Sequence, residues 1–177
     1  MLFPPVRLPV AGQHGAERRS AAGQATRHEP VVDLTPARKR LAEAIVDKPG
    51  LLLEDKGLSL ALHYRRVPKL AGFVRQTMDA LLADVDGQYC LQKGKSVLEL
   101  KPAGKDKGRA LREFMAEAPF AGRTPLFVGD DATDEYGFAT VNELGGYAIK
   151  VGVGDSIARY RLEDVKAVEQ WLRSISR

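Results

Sequence analysis

One cysteine, one tryptophan and three histidines are all that 177 residues hold of those types. A single thiol, Cys90, closes no internal disulfide, so the chain is not a disulfide scaffold and a reducing cytoplasm is the expected setting. Within the strand-like stretch Gln88 to Gln92, Cys90 reads as a small buried apolar residue. No apolar run approaches the roughly 18 residues a membrane span needs, and no hydrophobic leader stands at the start. Internal repeats and low-complexity tracts are absent, and no nucleic-acid motif is present. The net charge is +4, but Arg18-Arg19, Arg38-Lys39-Arg40, Arg65-Arg66, Lys93 and Lys95 are scattered and do not interleave with aromatics. That speaks against nucleic acid; a modest positive field suits an anionic small molecule. The apolar fraction, 44%, is that of an ordinary globular domain.

Acid, by contrast, is concentrated. Gly129-Asp130-Asp131-Ala132-Thr133-Asp134-Glu135 places four carboxylates within six positions, directly after the strand-like run Pro125-Leu126-Phe127-Val128. Such charges repel one another unless a cation or water compensates them. Hard oxygen ligands at a strand's end suit Mg²⁺, which takes one or two carboxylates and leaves room for substrate phosphate oxygens. A solvated acidic loop is the plain alternative.

Along the chain, Leu8 to Gln13 follows Pro4 and Pro5 as a short extended run. Thr35-Pro36 reads as an N-cap with proline at the first helical position, ahead of the stripe Ala37, Leu41, Ala44 and Ile45. Pro49-Gly50 ends that helix. Leu51 to Asp55 and Leu58 to Arg65 read as two strands, the second with Leu58, Leu60, Leu62 and Tyr64 alternating against Ser59, Ala61, His63 and Arg65 and hence with one face buried. A helix over 70–82 and strands Tyr89 to Gln92 and Ser96 to Lys101 complete a helix, hairpin, helix, hairpin unit of α+β type. Beyond it the pattern changes. An Asp106-capped helix precedes a strand to Val128, a helix with Phe138, Val141 and Leu144 stopped at Gly145-Gly146, a strand at Tyr147 to Val151, and a last helix with Val165, Val168, Trp171, Leu172 and Ile175 on one face. Trp171 reads as a core anchor. Alternating helices and strands imply a parallel α/β sheet, whose ligand site lies beyond the strands' carboxyl ends. Lys107 falls in the first turn of the Asp106-capped helix, where the helix dipole disfavours a cation unless an anion is bound nearby. The stretch Lys101 to Gly108 is not a P-loop, because its glycines and lysines are in the wrong order.

Leu126-Phe127-Val128-Gly129-Asp130-Asp131-Ala132-Thr133-Asp134-Glu135, with Lys107-Gly108 before it, resembles the last two motifs of the haloacid dehalogenase superfamily phosphatases. The finer likeness is to the trehalose-6-phosphate phosphatases. It is carried by Ala11 to Arg19, by Glu54-Asp55-Lys56-Gly57 with Ala61-Leu62-His63-Tyr64-Arg65, by Gln92 to Lys95, by Leu98-Glu99-Leu100-Lys101-Pro102 and by Gly122-Arg123-Thr124-Pro125. The resemblance implies an α/β fold: a partial Rossmann-like haloacid dehalogenase core over 1–30 and 102–177, with an inserted α+β cap over 31–101. It implies Mg²⁺-dependent hydrolysis of trehalose 6-phosphate to trehalose and phosphate, through an aspartyl-phosphate. By position Asp130 would be the Mg²⁺ ligand, with Asp131 and Asp134 ligands through water or orienting the site. Lys107 would bind phosphate and the nucleophile. Glu54, Lys56 and Glu99 match positions that grip sugar hydroxyls, while His14, Gly15 and Glu17 would line the core side of the cleft.

One departure matters. The family's Asp-x-Asp-Gly-Thr nucleophile motif and the serine or threonine motif after it do not occur; the chain joins the pattern at Gly12 to Glu17. Asp84-Val85-Asp86-Gly87 has the aspartate order, but it follows an amphipathic helix and carries Gln88 where threonine belongs. It reads as a helix-to-strand turn. The expectation is a polypeptide lacking its N-terminal strands, impaired alone, with open sheet edges and low solubility. A non-catalytic sugar-phosphate-binding or regulatory fragment of the same fold is the alternative, and another sugar phosphate as substrate is a third.

Overall fold

A computed structural model describes residues 8–27, 32–85 and 87–175. Pro4, Pro5, the expected 30/31 boundary and Asp86 lie outside the described residues. The chain divides into two compact units, one of Val10–Arg19 with Gln24–Lys105, the other including Ser20–Gly23 and everything from Asp106 onward. Among the described residues no helix is long and apolar enough to cross a membrane.

The first unit contains a small antiparallel sheet of β1 (Val10–Gly12), β2 (Glu17–Arg19) and β3 (Ala25–Arg27). It continues with α1 (Thr35–Ile45), β4 (Leu52–Asp55), β5 (Leu60–His63), α2 (Ala71–Ala83), β6 (Tyr89–Gly94) and β7 (Val97–Pro102). The last four strands form one antiparallel sheet in the order β4-β5-β7-β6, in the helix, hairpin, helix, hairpin sequence that the pattern implies. Strand pairing sets Leu60 opposite Leu100 and Leu62 opposite Leu98. These leucines are buried and pack with Leu41 of α1 and Val74, Met78 and Leu81 of α2. Each such side chain withdraws enough apolar surface to contribute about 2 kcal/mol.

The other face of this sheet is not the solvent face that simple alternation implies. Ser59 and Ala61 are also fully buried. The register aligns Glu54, Ala61, Glu99 and Gln92 across β4, β5, β7 and β6, so this face collects polar groups rather than shedding them. Cys90, opposite Lys101, is only partly buried, contrary to its reading as an interior apolar residue. At the start of α1, Thr35 is already helical, and the Asp33 carboxylate accepts from its N–H at 2.9 Å. The first carboxylate before the proline thus takes the capping part that Thr35 was expected to fill.

The second unit runs α3 (Lys107–Met115), β8 (Leu126–Gly129), α4 (Glu135–Glu143), β9 (Tyr147–Val151), β10 (Tyr160–Leu162) and α5 (Val165–Ile175). Its sheet is parallel, ordered β10-β9-β8. A parallel pair needs a crossover, and α4 supplies it between β8 and β9. Phe138 and Val141 of α4 and Ala148 of β9 form the buried centre, with Phe127 meeting Phe138 edge-on at 5.6 Å. Asp106 caps α3 by accepting from the Arg109 N–H at 2.8 Å. The amphipathic α5 buries none of its residues; Val165 is 68% and Ile175 62% exposed. Trp171 is half-buried and lines an open pocket of about 460 Å³ with Leu126, Ile149 and Tyr160. It is therefore not the core anchor its place in the apolar stripe implies, because a helical period marks an apolar face without supplying what covers it.

Helix α3 packs tightly on α4 at Gly108, where a Cβ would stand 2.4 Å from the Tyr136 carbonyl oxygen and 2.5 Å from Thr140 Oγ1. Gly108→Ala is expected to destabilise the fold by about 2 kcal/mol through this overpacking, read as a lowered urea midpoint with an unchanged slope. Wild-type stability in that variant would show that the two helices separate freely.

Candidate functional site

The acidic loop owes its shape to Asp134. It is 3% exposed, and its Oδ2 accepts the backbone N–H groups of both Asp130 and Asp131 at 2.9 Å. Its Oδ1 accepts from Lys107 Nζ at 2.5 Å. Gly129 makes this fold-back possible, since a Cβ there would lie 2.4 Å from the Asp134 Cγ. Asp131 closes the turn over Ala132–Asp134 by accepting from the Ala132 N–H at 2.7 Å, within a capping box. Glu135 accepts from the Ile157 N–H at 3.0 Å. Lys150, buried at the end of β9, donates to the carbonyl oxygens of Asp130 at 2.5 Å and Val151 at 3.0 Å.

The four carboxylates are thereby separated by task. Asp134 is neutralised by Lys107 and backbone donors, Glu135 ties down a neighbouring loop, Asp131 spends one oxygen on capping the turn, and Asp130 and Asp131 both stay exposed at the end of β8. Among the described residues no three His, Cys, Asp or Glu side chains gather closely enough to hold a metal by themselves. Two outward carboxylates nevertheless fit the donor set of Mg²⁺, which commonly takes one or two protein carboxylates and fills its octahedron with water and phosphate oxygens. Asp134, with both oxygens engaged inside the fold, braces the loop.

The first unit holds a second charged cluster. Glu99, 7% exposed, receives Ser59 Oγ at 2.7 Å and Lys56 Nζ at 3.3 Å on one oxygen and His14 Nε2 at 3.2 Å on the other. Lys56 also stands 3.9 Å from Glu54, whose same oxygen meets His63 Nε2 at 2.8 Å. His14 reaches Glu99 from a turn in which Gln13, His14 and Gly15 all have positive φ, at 47°, 59° and 90°. Left-handed backbone at two consecutive non-glycine residues is strained, and such strain concentrates where a side chain must be aimed. Glu17 follows on β2 and pairs with Arg27 at 3.2 Å. Burial alone would push the Glu99 carboxyl up; hydrogen bonds from His14 and Ser59 and the charges of His14 and Lys56 outweigh it and bring it from 4.5 down to about 2.

Of the residues singled out in the sequence, Lys107, Asp130, Asp131 and Asp134 come together in one unit, and His14, Gly15, Glu54, Lys56 and Glu99 in the other, with Glu17 two residues beyond the His14 turn. Ser59, His63 and Lys150 belong to these networks and were not singled out. The alternation of the sequence does point to Ser59, one residue before β5, and to His63 at its end, since they flank Ala61 at two positions on either side in the row that contains Glu54 and Glu99. Lys150 carried no signal, because only the pairing of Gly129 with Lys150 brings it to the loop.

A carboxyl held below its ordinary value adds stability in full above pH 4.5 and loses it as pH falls toward 2. Glu99→Gln should therefore fall furthest below wild type above pH 4.5 and converge with it near pH 2, in urea unfolding series taken across that range. A constant gap at every pH would show that Glu99 is not held ionised.

The pattern of the trehalose-phosphatase family matches residues 1–166. Trehalose-6-phosphate phosphatase of Escherichia coli (strain K12) is 45% identical over 176 residues, covering 99% of this chain and 66% of the relative. A probable trehalose-phosphate phosphatase of Sinorhizobium fredii is 40% identical over 151 residues, covering 85% and 57%. The chain thus spans about two thirds or less of these relatives' length. Among solved structures, the C-terminal domain of C. albicans trehalose-6-phosphate phosphatase superposes with a TM-score of 0.78 at 22% identity, over 96% of this chain and 71% of that one. A trehalose-6-phosphate phosphatase related protein gives 0.72 at 27% identity, over 92% and 69%.

Proposed function

The chain belongs to the trehalose-phosphatase family, and from that premise we propose that its residues serve the hydrolysis of trehalose 6-phosphate to trehalose and phosphate, with Mg²⁺ as cofactor and the cytoplasm as setting. The observation that carries the reading is the Lys107–Asp134 pair with its two backbone bonds, which directs Asp130 and Asp131 outward. Asp130 and Asp131 would hold Mg²⁺, which when bound supplies positive charge to a transferring phosphoryl group. Lys107 adds a second positive charge at the same loop, and its ammonium keeps donors free beyond the one given to Asp134. Asp134 and Lys150 orient the loop backbone.

Recognition of the sugar is assigned to the cluster of His14, Gly15, Glu17, Glu54, Lys56 and Glu99. A disaccharide offers many hydroxyls and few apolar faces, and charged hydrogen-bonding side chains suit it. No Asp-x-Asp-Gly-Thr sequence occurs in the 177 residues, so we propose that the attacking aspartate comes from sequence outside them and that these residues alone release little phosphate. The same observation favours the second reading, a sugar-phosphate-binding module without turnover.

Phosphate release from trehalose 6-phosphate with Mg²⁺ separates these readings, measured for the 177 residues and for the polypeptide extended upstream in its reading frame. The extended form should turn over, and Asp130→Asn within it should lower kcat by roughly a hundredfold. Binding without turnover in both forms would replace the phosphatase by the binding module. Full activity of the 177 residues alone, abolished by Asp84→Asn, would move the nucleophile to Asp84.

A further inference from the structure

Glu99 stands in the proposed sugar-recognition cluster, yet its surroundings give it a different part from that of its neighbours. Its side chain is 10% exposed. A carboxylate offers about four lone-pair sites, and three are filled by Ser59, Lys56 and His14. The His14 side chain is nearly as buried, at 14% exposed, and Lys56 is the partner that differs. Lys56 is about one-third exposed and, as an ammonium with three donors, has capacity left after meeting Glu99. His14 spends one ring nitrogen on Glu99 and keeps the other. Glu54 is nearly half exposed. Lys56 and Glu54 are therefore the members of the cluster most open to a hydroxyl, while Glu99 keeps one lone-pair site beyond its three partners.

Ser59 is what fixes that centre. It is 1% exposed, so no ligand reaches it. It precedes β5 by one residue, in a turn closed by the Lys56 N–H donating to the Ser59 carbonyl at 3.0 Å. Its backbone thus anchors Lys56 while its hydroxyl anchors Glu99 at 2.7 Å. Ala61, opposite both Glu54 and Glu99 in the strand register, leaves the space between those carboxylates clear for the Lys56 ammonium.

We propose that Ser59 is a positioning residue for sugar recognition, locking a buried Glu99 that in turn aims Lys56 at the substrate's hydroxyls. This rests on the assignment of trehalose 6-phosphate as ligand, and two readouts keep the inference apart from that assignment. Carbon-13 NMR titration of the Glu99 carboxyl involves no substrate. It should report ionisation persisting below pH 3 in wild type and an upward shift in Ser59→Ala. Calorimetric titration with trehalose 6-phosphate should show affinity weakened roughly tenfold in Ser59→Ala, the scale of one charge-assisted hydrogen bond, and restored in Ser59→Thr, which keeps the hydroxyl. Because Ser59 cannot touch the ligand, a loss of affinity there reads positioning, not contact.

A Glu99 carboxyl titrating at its ordinary value in wild type overturns the inference without any variant. So does unchanged affinity in folded Ser59→Ala while wild type binds. Absence of trehalose 6-phosphate binding by wild type overturns the substrate assignment, and the inference with it.

Discussion

The ion pair between Lys107 and Asp134 is the constraint on which the acidic loop depends. An aspartate that is 3% exposed would be costly without compensation. Here it is compensated fourfold, by an ammonium, by two backbone N–H groups and by a glycine that yields the space. The consequence is a division among like charges. One carboxylate is sequestered, and Asp130 and Asp131 have their backbone fixed and remain exposed, Asp131 with one oxygen still given to the cap of the turn. Lys150 reinforces the arrangement from β9 by holding the Asp130 carbonyl. The close packing of α3 on α4 at Gly108 keeps Lys107, one residue earlier, within reach of Asp134.

The other cluster follows the same principle with the roles transposed. Glu99 is the buried anion, Lys56 and His14 are its side-chain partners, and Ser59 adds a neutral donor. In both places a buried carboxylate is held by a more exposed lysine, Lys107 in one and Lys56 in the other. Phosphate and metal chemistry call for outward anions and a cation; hydroxyl recognition calls for a mixture of donors and acceptors. The residue types match those separate demands.

Much of this was legible in the sequence, and the parts that were not share physical causes. β8 and β9 run where their apolar stretches run, because Pro125 and Gly129, and Gly146, delimit them sharply. Asp106 caps α3 as its type and position imply. The three-residue strands β2, β3 and β10 are too short to show a period of two. The polar face of β5 misleads a reading by alternation, because Ser59 and Ala61 are buried with polar neighbours and not exposed. In α5 the apolar stripe is genuine, but its burial depends on a covering surface that periodicity does not encode. The concentration of acid in the loop is plain from composition. Which carboxylate turns inward did not show, since that choice is made by Lys107, 27 positions away in sequence.

The most direct test of the central claim is a Mg²⁺ titration followed through backbone amide resonances of the nitrogen-15-labelled protein. Saturable shifts confined to Gly129 through Asp134 and to Lys107, absent in Asp130→Asn, are what this account requires. Flat resonances across that loop, or shifts centred elsewhere, would contradict it.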